Sequence, residues 1–225
     1  MKVKVVENPP VDPREFDLPA GFKEEHLEDV VEIFNTPLVG HYNWDYTDAD
    51  TRIKKLYELG KELNWNGSID LDWSNGLKKG EPPIKAELIA RMEGPLAALP
   101  EEERLEYMRH DQAWTLSQFL HGEQGAMLVA SQLVSCAPTY QAKLYAASQT
   151  FDEARHVEVF AKYLQQIHGI EYPINKNLKS LIDKILSDER WDLKFIGMQI
   201  IIEGLALAAF QTTKETSNCP LLRQL

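Results

Sequence analysis

Residues 116–160 read LSQFLHGEQGAMLVASQLVSCAPTYQAKLYAASQTFDEARHVEVF, and this stretch decides the fold that the sequence predicts. Apolar residues recur every three or four positions on both sides of Pro138, which is the pattern of two amphipathic helices. Because Pro138 interrupts both patterns, it marks the turn of a helical hairpin. Glu123 precedes this proline by the same number of positions by which Glu153 follows it. At a rise of ~1.5 Å per residue, both carboxylates should lie at the same height, roughly 22 Å from the turn.

The helices of this hairpin are predicted to be long. Pro100 followed by three glutamates is typical of a helix start, because proline fits the first turn and acids suit the positive end of the helix dipole. We expect the first helix to run without a break from Pro100 to Pro138, and further helices over residues 138–168, 177–187 and 188–216. No alternating strand pattern of useful length is present. The sequence therefore predicts an all-α bundle over residues 100–225.

Residues 1–99 are predicted to form an N-terminal extension of short helices and loops. Prolines at positions 9, 10 and 13 indicate an extended arm, and helices are expected over residues 23–34, 48–63 and 84–99. Residues 66–83 are rich in Gly, Asn, Asp and Pro and predict a long loop. The apolar side chains Trp65, Leu71 and Trp73 are expected to hold it against the core.

Composition and charge exclude several classes of protein. The 35 acidic and 24 basic residues give a net charge of −11, which argues against a nucleic-acid or anionic-membrane surface. With 44% hydrophobic and 26% charged residues, the chain is neither disordered nor a simple membrane protein. Two cysteines are too few for a secreted disulfide framework, and the stretch from Met1 to Pro10 has no apolar signal segment. We therefore expect a cytoplasmic protein.

Three glutamates occupy positions where the helical pattern predicts burial. Glu123 lies on the apolar face of the first long helix, and Glu153 and His156, three positions apart, share one face of the second. Glu203 lies on an apolar stripe made of Leu193, Ile196, Ile200, Leu207 and Phe210. An unpaired buried carboxylate costs several kcal/mol or stays protonated, so these acids need a partner. Acids paired by salt bridges in a non-catalytic helical scaffold are one explanation.

A metal site is the other explanation. Three carboxylates and an imidazole that converge inside a helical bundle form a hard, oxygen-rich donor set. The absence of a thiolate at these positions favours iron or manganese over structural zinc.

The two halves of the bundle share an internal repeat. Glu123 and Glu203 each lie between four and five helical turns before a turn that contains cysteine and proline. The first half continues to Glu153 and His156, and by the same spacing a second Glu-x-x-His would fall near positions 235 and 238, beyond Leu225. We therefore expect the fourth core helix to be missing from this chain. Weak or partial metal binding and an exposed apolar stripe around Glu203, which favours self-association, are expected as well.

The order and spacing of Glu123, then the Glu-x-x-His pair of Glu153 and His156, then Glu203 resemble those of the ferritin-like di-iron carboxylate proteins. Residues 152–156, Asp-Glu-Ala-Arg-His, are similar to one form of their motif, in the branch of the ribonucleotide reductase small subunits and related oxidases. The resemblance covers about residues 100–225 and implies a four-helix bundle. The metal ligands that it implies are Glu123, Glu153, His156 and Glu203. It also implies that Asp152 holds a ligand imidazole and that Arg155 braces it.

Four positions depart from the better-known branches of this family. Phe160 stands where ribonucleotide reductase small subunits carry their radical tyrosine. Ala126 and Met198 stand where related ligand-binding oxidases cross-link a valine to a tyrosine. Leu207 stands where bacterial multicomponent monooxygenases have a threonine. The resemblance therefore implies a divergent oxidase or oxygenase.

The implied activity is the oxidation or hydroxylation of an organic substrate by dioxygen at two iron ions, with manganese or a mixed pair as the alternative. Reducing equivalents would come from an electron-donor protein, because the sequence contains no electron-transfer motif. The candidates for the substrate cavity are Gly122, Gly125, Ala126, Phe160 and Leu207. Iron binding or storage by a ferritin-like protein is an alternative function, and a homodimer is one option for the oligomeric state.

Overall fold

The computed structural model describes residues 34–47 and 51–225, and these residues form an all-α fold with 63% helix for the chain. Within these two ranges no strand is present, and the only bridge pairs Ile84 with Ser217. The helices of the described residues are α1 (Arg52–Glu62), α2 (Ala86–Ile89), α3 (Glu101–Cys136), α4 (Tyr140–Tyr163), α5 (Lys176–Leu186) and α6 (Trp191–Thr216). Helix α4 continues into a π-helical turn over Leu164–His168, and α6 contains a π-helical segment over Ile196–Ile202. The prediction of an all-α chain is confirmed.

Local signals set the ends of the two long helices where the sequence predicted them. Helix α3 begins directly after Pro100, is 36 residues long and ends before Ala137 and Pro138. The Thr139 side chain accepts a hydrogen bond from the Ala142 amide and so caps the start of α4. Gly169, with a φ of 62°, closes the π-helical turn in the left-handed conformation that glycine adopts without strain. The predicted hairpin around Pro138 is therefore confirmed.

The early part of the chain differs from the prediction in three places. The helix expected over residues 84–99 is only Ala86–Ile89, because Gly94 takes a φ of 77° and Pro95 follows it. Helix α1 begins at Arg52, where Thr51 caps it, and residues 48–50 lie outside the described residues. The helix expected over residues 23–34 also lies outside them, except for Phe34, which is not helical.

The chain divides into two compact units, Met1–Asn35 and Thr36–Leu225. Residues 36–99 therefore share a unit with the long helices, although the sequence placed residues 1–99 together in an extension. Within the larger unit the loop after α1 packs on the helices, because Leu71 and Trp73 contact buried residues of α3 and α4.

Two apolar cores fill the space around the α3–α4 hairpin. The first core contains Ala113, Leu116, Leu120, Phe160, Tyr163, Leu164, Cys219, Leu221 and Leu222. The second core contains Ala126, Val129, Leu133, Cys136, Ala146, Ile182, Ile185, Leu186 and Met198. Helix α1 packs on α4, and α5 and the first half of α6 pack on α3. Glu123, Glu153 and His156 lie between the two cores along both long helices.

Helix α6 leaves most of its apolar surface uncovered. Of the stripe that the sequence placed on the buried side, Leu193, Ile196, Ile200 and Leu207 are exposed. By length and composition α6 could cross a membrane, and 11% of its most apolar stretch is buried. Length and composition are weak evidence of a membrane span, because a mostly buried core helix of a soluble protein has the same length and composition.

Lys194 fixes the first half of α6 to its neighbours. The side chain is completely buried, and its Nζ donates hydrogen bonds to the carbonyls of Ile185 (2.7 Å) and Leu186 (2.5 Å) and to Gln132 Oε1 (2.8 Å). The two carbonyls belong to the last turn of α5, and that of Ile185 also accepts a hydrogen bond from the Asp188 amide (3.3 Å). A cation at this end of α5 also suits the helix dipole. One ammonium group thus joins α3, α5 and α6.

Replacing Lys194 with methionine should therefore destabilise the fold. Lys194→Met keeps the apolar stem but leaves the Leu186 carbonyl and Gln132 Oε1 without this donor and removes one donor from the Ile185 carbonyl, at a cost of about 2–3 kcal/mol in the free energy of unfolding. Urea unfolding followed by far-ultraviolet circular dichroism measures this change. Lys184→Met, at an exposed lysine of α5, is the control and should change the free energy by less than about 0.5 kcal/mol. Equal losses in the two variants would contradict the bridging role.

Candidate metal centre

Helices α3 and α4 bring Glu123, Glu153 and His156 together between the two cores. The Nδ1 atom of His156 lies 3.1 Å from Oε2 of Glu123 and 2.9 Å from Oε2 of Glu153. The potential ligand atoms of the three residues all lie within 4.8 Å of one another. Both carboxylates are buried, and the imidazole is partly exposed. These are three of the four ligands that the sequence suggested.

The geometry of this group follows from two spacings in the sequence. Glu123 and Glu153 are equally far from Pro138, so the antiparallel hairpin places them opposite each other. His156 follows Glu153 by less than one helical turn, so both side chains point from α4 towards α3. Local helix geometry is therefore sufficient to form the cluster once the hairpin closes.

The charges in the cluster shift the pKa values of its members. Burial alone would lower the pKa of His156, but its hydrogen bonds to Glu123 and Glu153 and their charges raise it to about 10. Burial raises the pKa of Glu153, and the neighbouring Glu123 raises it further, whereas His156 opposes the shift. A positively charged imidazole thus lies between two buried acids when no metal is bound.

Glu203 approaches the same cluster from α6. Burial raises its pKa from the usual 4.5 to about 7, and the charge of Glu153 adds to this shift. Its carboxylate is not among the atoms that lie within 4.8 Å of one another. The fourth predicted ligand is therefore near the other three, at the edge of the group.

The residues present fit a divalent metal ion. Ligands at right angles around an ion with bonds of about 2.1 Å are separated by about 3 Å, which matches the two distances from His156 Nδ1. The imidazole proton occupies the space between these ligand atoms, and metal binding would release it. The two cysteines, Cys136 and Cys219, are buried in the apolar cores and are not part of the group. Carboxylate oxygen and imidazole nitrogen are donors that iron and manganese accept.

Asp152 and Arg155 anchor a loop over the cluster. Arg155 forms an ion pair with Asp152, and its Nη1 donates to Asn64 Oδ1 (2.6 Å) and to the Trp65 carbonyl (2.8 Å). The Trp65 ring stacks on the His156 imidazole with the centroids 6.0 Å apart. Asp152 therefore contacts Arg155 here rather than a ligand imidazole, because the guanidinium lies one turn away on the same face of α4.

Several polar residues near the cluster were not singled out by the sequence analysis. Gln149 Nε2 donates to Gln199 Oε1 (2.8 Å), which links α4 to α6 one turn before Glu153 and one turn before Glu203. Burial raises the pKa of Tyr145, and the charges of Glu153 and Glu203 raise it further. Tyr145, Gln149 and Glu153 are spaced four apart in the sequence, which indicates that they lie in one row along α4.

An apolar cavity of about 330 Å³ lies beside the cluster between α3, α5 and α6. Glu123, Glu203 and Gly122 are part of its wall, and a Cβ atom at Gly122 would meet no atom of the described residues within 4 Å. Its apolar wall is formed by Trp114, Phe119, Leu178, Leu181, Ile202, Leu205, Ala206, Ala209 and Phe210.

The other predicted cavity residues lie elsewhere. A Cβ at Gly125 would come within 2.8 Å of Ile182, and Ala126 is buried in the second core, so the expected space beside these two residues is filled. Phe160 and Leu207 line a neighbouring pocket of about 210 Å³.

Comparison with known proteins gave no match: no protein-family model, no curated protein and no solved structure is similar to this chain.

The raised pKa of Glu203 predicts a pH-dependent stability of the metal-free protein. The pKa of Glu203 in the folded chain, about 7, lies above the usual 4.5. Between these two pH values the folded chain binds more protons than the unfolded chain, so it loses stability as the pH rises from 4.5 to about 7. Glu203→Gln cannot ionise, so its melting temperature should fall less than that of the wild type from about pH 5 to about pH 8. Thermal unfolding in the presence of a chelator measures the difference.

Glu215→Gln is the matched control, because Glu215 is an exposed glutamate of the same helix. It should keep the pH dependence of the wild type. An equal fall of the melting temperature with pH in the wild type and in Glu203→Gln would show that Glu203 ionises normally in the folded chain.

Proposed function

We propose that this chain is a ferritin-like carboxylate protein that holds iron at Glu123, Glu153, His156 and Glu203 and uses dioxygen to oxidise an organic substrate. The observation that carries the proposal is the convergence of Glu123, Glu153 and His156, with ligand atoms within 4.8 Å, next to an apolar cavity that Glu123 lines. The proposed fold is a ferritin-like bundle in which α3, α4 and α6 supply the ligands.

The balance of charge favours a metal site over a structural salt bridge. One imidazolium faces two buried carboxylates, and Glu203 adds a third acid whose ionisation is suppressed because burial raises its pKa. A buried ion cluster with excess negative charge is costly, because desolvation is not offset by pairing. A divalent cation would supply the missing positive charge and would allow all three acids to ionise.

The donor set also bears on the identity and number of the ions. Oxygen and nitrogen donors without a thiolate favour iron, with manganese as the alternative. Glu123, Glu153 and His156 surround space for one ion, and Glu203 together with shared carboxylates would hold a second. We therefore expect partial rather than full occupancy of a two-metal site. Iron bound here would supply electrons for the reduction of dioxygen.

The protein's own residues would orient the site and limit water around it. Glu153 and His156 are fixed by their spacing on α4, and the Trp65 ring covers the imidazole. The apolar cavity, which is open to solvent, would give an organic molecule access to Glu123 and Glu203. An electron-donor protein and a cytoplasmic location remain part of the proposal.

Anaerobic loading with ferrous iron followed by exposure to oxygen tests the function. The wild type should retain iron after desalting and show an oxygen-dependent change in near-ultraviolet and visible absorbance. Glu153→Ala removes a ligand and should weaken iron binding by more than about 100-fold, because even residues that only orient ligands contribute about 10–100-fold. Glu158→Ala, at a glutamate of α4 outside the cluster, is the matched control and should behave like the wild type.

Other outcomes would identify the alternatives. Equal iron content in the wild type, Glu153→Ala and Glu158→Ala, with only stability changed in the first variant, would indicate a salt-bridged scaffold. Cage-sized particles in size-exclusion chromatography would indicate iron storage.

A further inference from the structure

Two polar side chains in the wall of the apolar cavity, Gln118 and Asn175, have hydrogen-bond partners within the protein. Gln118 Oε1 accepts a hydrogen bond from the Asn175 amide (2.8 Å), and its Nε2 donates to the Pro173 carbonyl (3.1 Å). The Asn175 carboxamide oxygen accepts from the amides of residues 177 and 178 at the start of α5. These bonds join α3 to the start of α5 and engage the Gln118 carboxamide and the Asn175 carboxamide oxygen.

The ionisable groups in the cavity wall are acidic. Among the residues that the structure describes, Glu123 and Glu203 are the only ionisable ones that line the cavity, and neither lysine nor arginine is present there. In the metal-free chain, a carboxylate, sulfate or phosphate group would therefore find no lysine or arginine in the cavity wall to pair with, and its desolvation would not be offset. An amine would be attracted to the acids but would compete with a metal ion for them.

We infer that the molecule bound beside the metal centre is an uncharged apolar compound, such as a short alkyl chain or a small ring. This inference rests on the proposed function and names the class of substrate that its site accepts. The volume of about 330 Å³ lies at the small end of ligand pockets. Three of its apolar lining residues, Trp114, Leu181 and Leu205, are exposed, so the cavity is open to solvent.

Gly122 determines the size of the ligand. It directly precedes Glu123 on α3, and no atom of the described residues lies within 4 Å of the place that a Cβ would take, so a larger residue would project into the cavity without a clash. Gly204 offers a matched control, since it directly follows Glu203, also has open space around it and does not line the cavity. A leucine at either position changes helix propensity and surface in a similar way.

The test uses two probes of the same ring size, cyclohexane and cyclohexanecarboxylate, with the metal-free chain. Ligand-observed NMR should detect binding of cyclohexane, but not of cyclohexanecarboxylate, to the wild type and to Gly204→Leu. Gly122→Leu should weaken binding of cyclohexane by at least about 10-fold, because the new side chain occupies its space. Circular dichroism should show that both variants are folded.

Three results would overturn the inference: no binding of cyclohexane to the wild type, equal binding of cyclohexanecarboxylate, or unchanged binding of cyclohexane in Gly122→Leu. The ferrous iron and oxygen assay on the same proteins tests the proposed function separately. Binding of cyclohexane without an oxygen-dependent signal would leave the apolar site in place and reject the oxidase. An oxygen-dependent signal without binding of cyclohexane would support the oxidase and reject the apolar site.

Discussion

The hydrogen bonds from the His156 imidazole to Glu123 and Glu153 are the interaction on which the rest of the site depends. They place a polar cluster between two apolar cores, where an unpaired carboxylate would cost several kcal/mol. Without metal, the imidazole stays protonated because the two acids raise its pKa to about 10. In the proposed metal site the same atoms would become ligands when that proton leaves.

Helix α6 completes the site but is held by few contacts. Lys194 ties its first half to α3 and α5, Gln199 bonds to Gln149 of α4, and Phe210 packs against Phe119 and Phe160. Between these points its outer face is exposed apolar surface. Met198, in the same half of the helix, is buried in the second core. Glu203 lies in the middle of this helix, so its position relative to Glu123, Glu153 and His156 depends on these contacts of the inner face.

The sequence predicted those features that depend on local chemistry and on spacing along one helix. Proline, threonine and glycine mark the ends of α3 and α4, and the equal distances of Glu123 and Glu153 from Pro138 predicted that they would meet. Features that depend on contacts between distant segments could not be predicted. Ile182 fills the space beside Gly125, although the glycine alone suggested a cavity. The loop at Trp65 covers His156 because Arg155, far along the chain from it, bonds to its backbone.

The proposed metal site and the apolar cavity share part of their wall, and this would couple their ligands. Gly122 and Glu123 are adjacent on α3, and on α6 Glu203 lies between cavity residues Ile202 and Leu205. A divalent cation would neutralise the two acids and make the wall less polar, which favours an uncharged apolar compound in the cavity. By linkage, an apolar compound that excludes water from the acids must strengthen their attraction to the cation by the same factor. The metal and the organic molecule would therefore each raise the affinity of the chain for the other, although they touch different atoms.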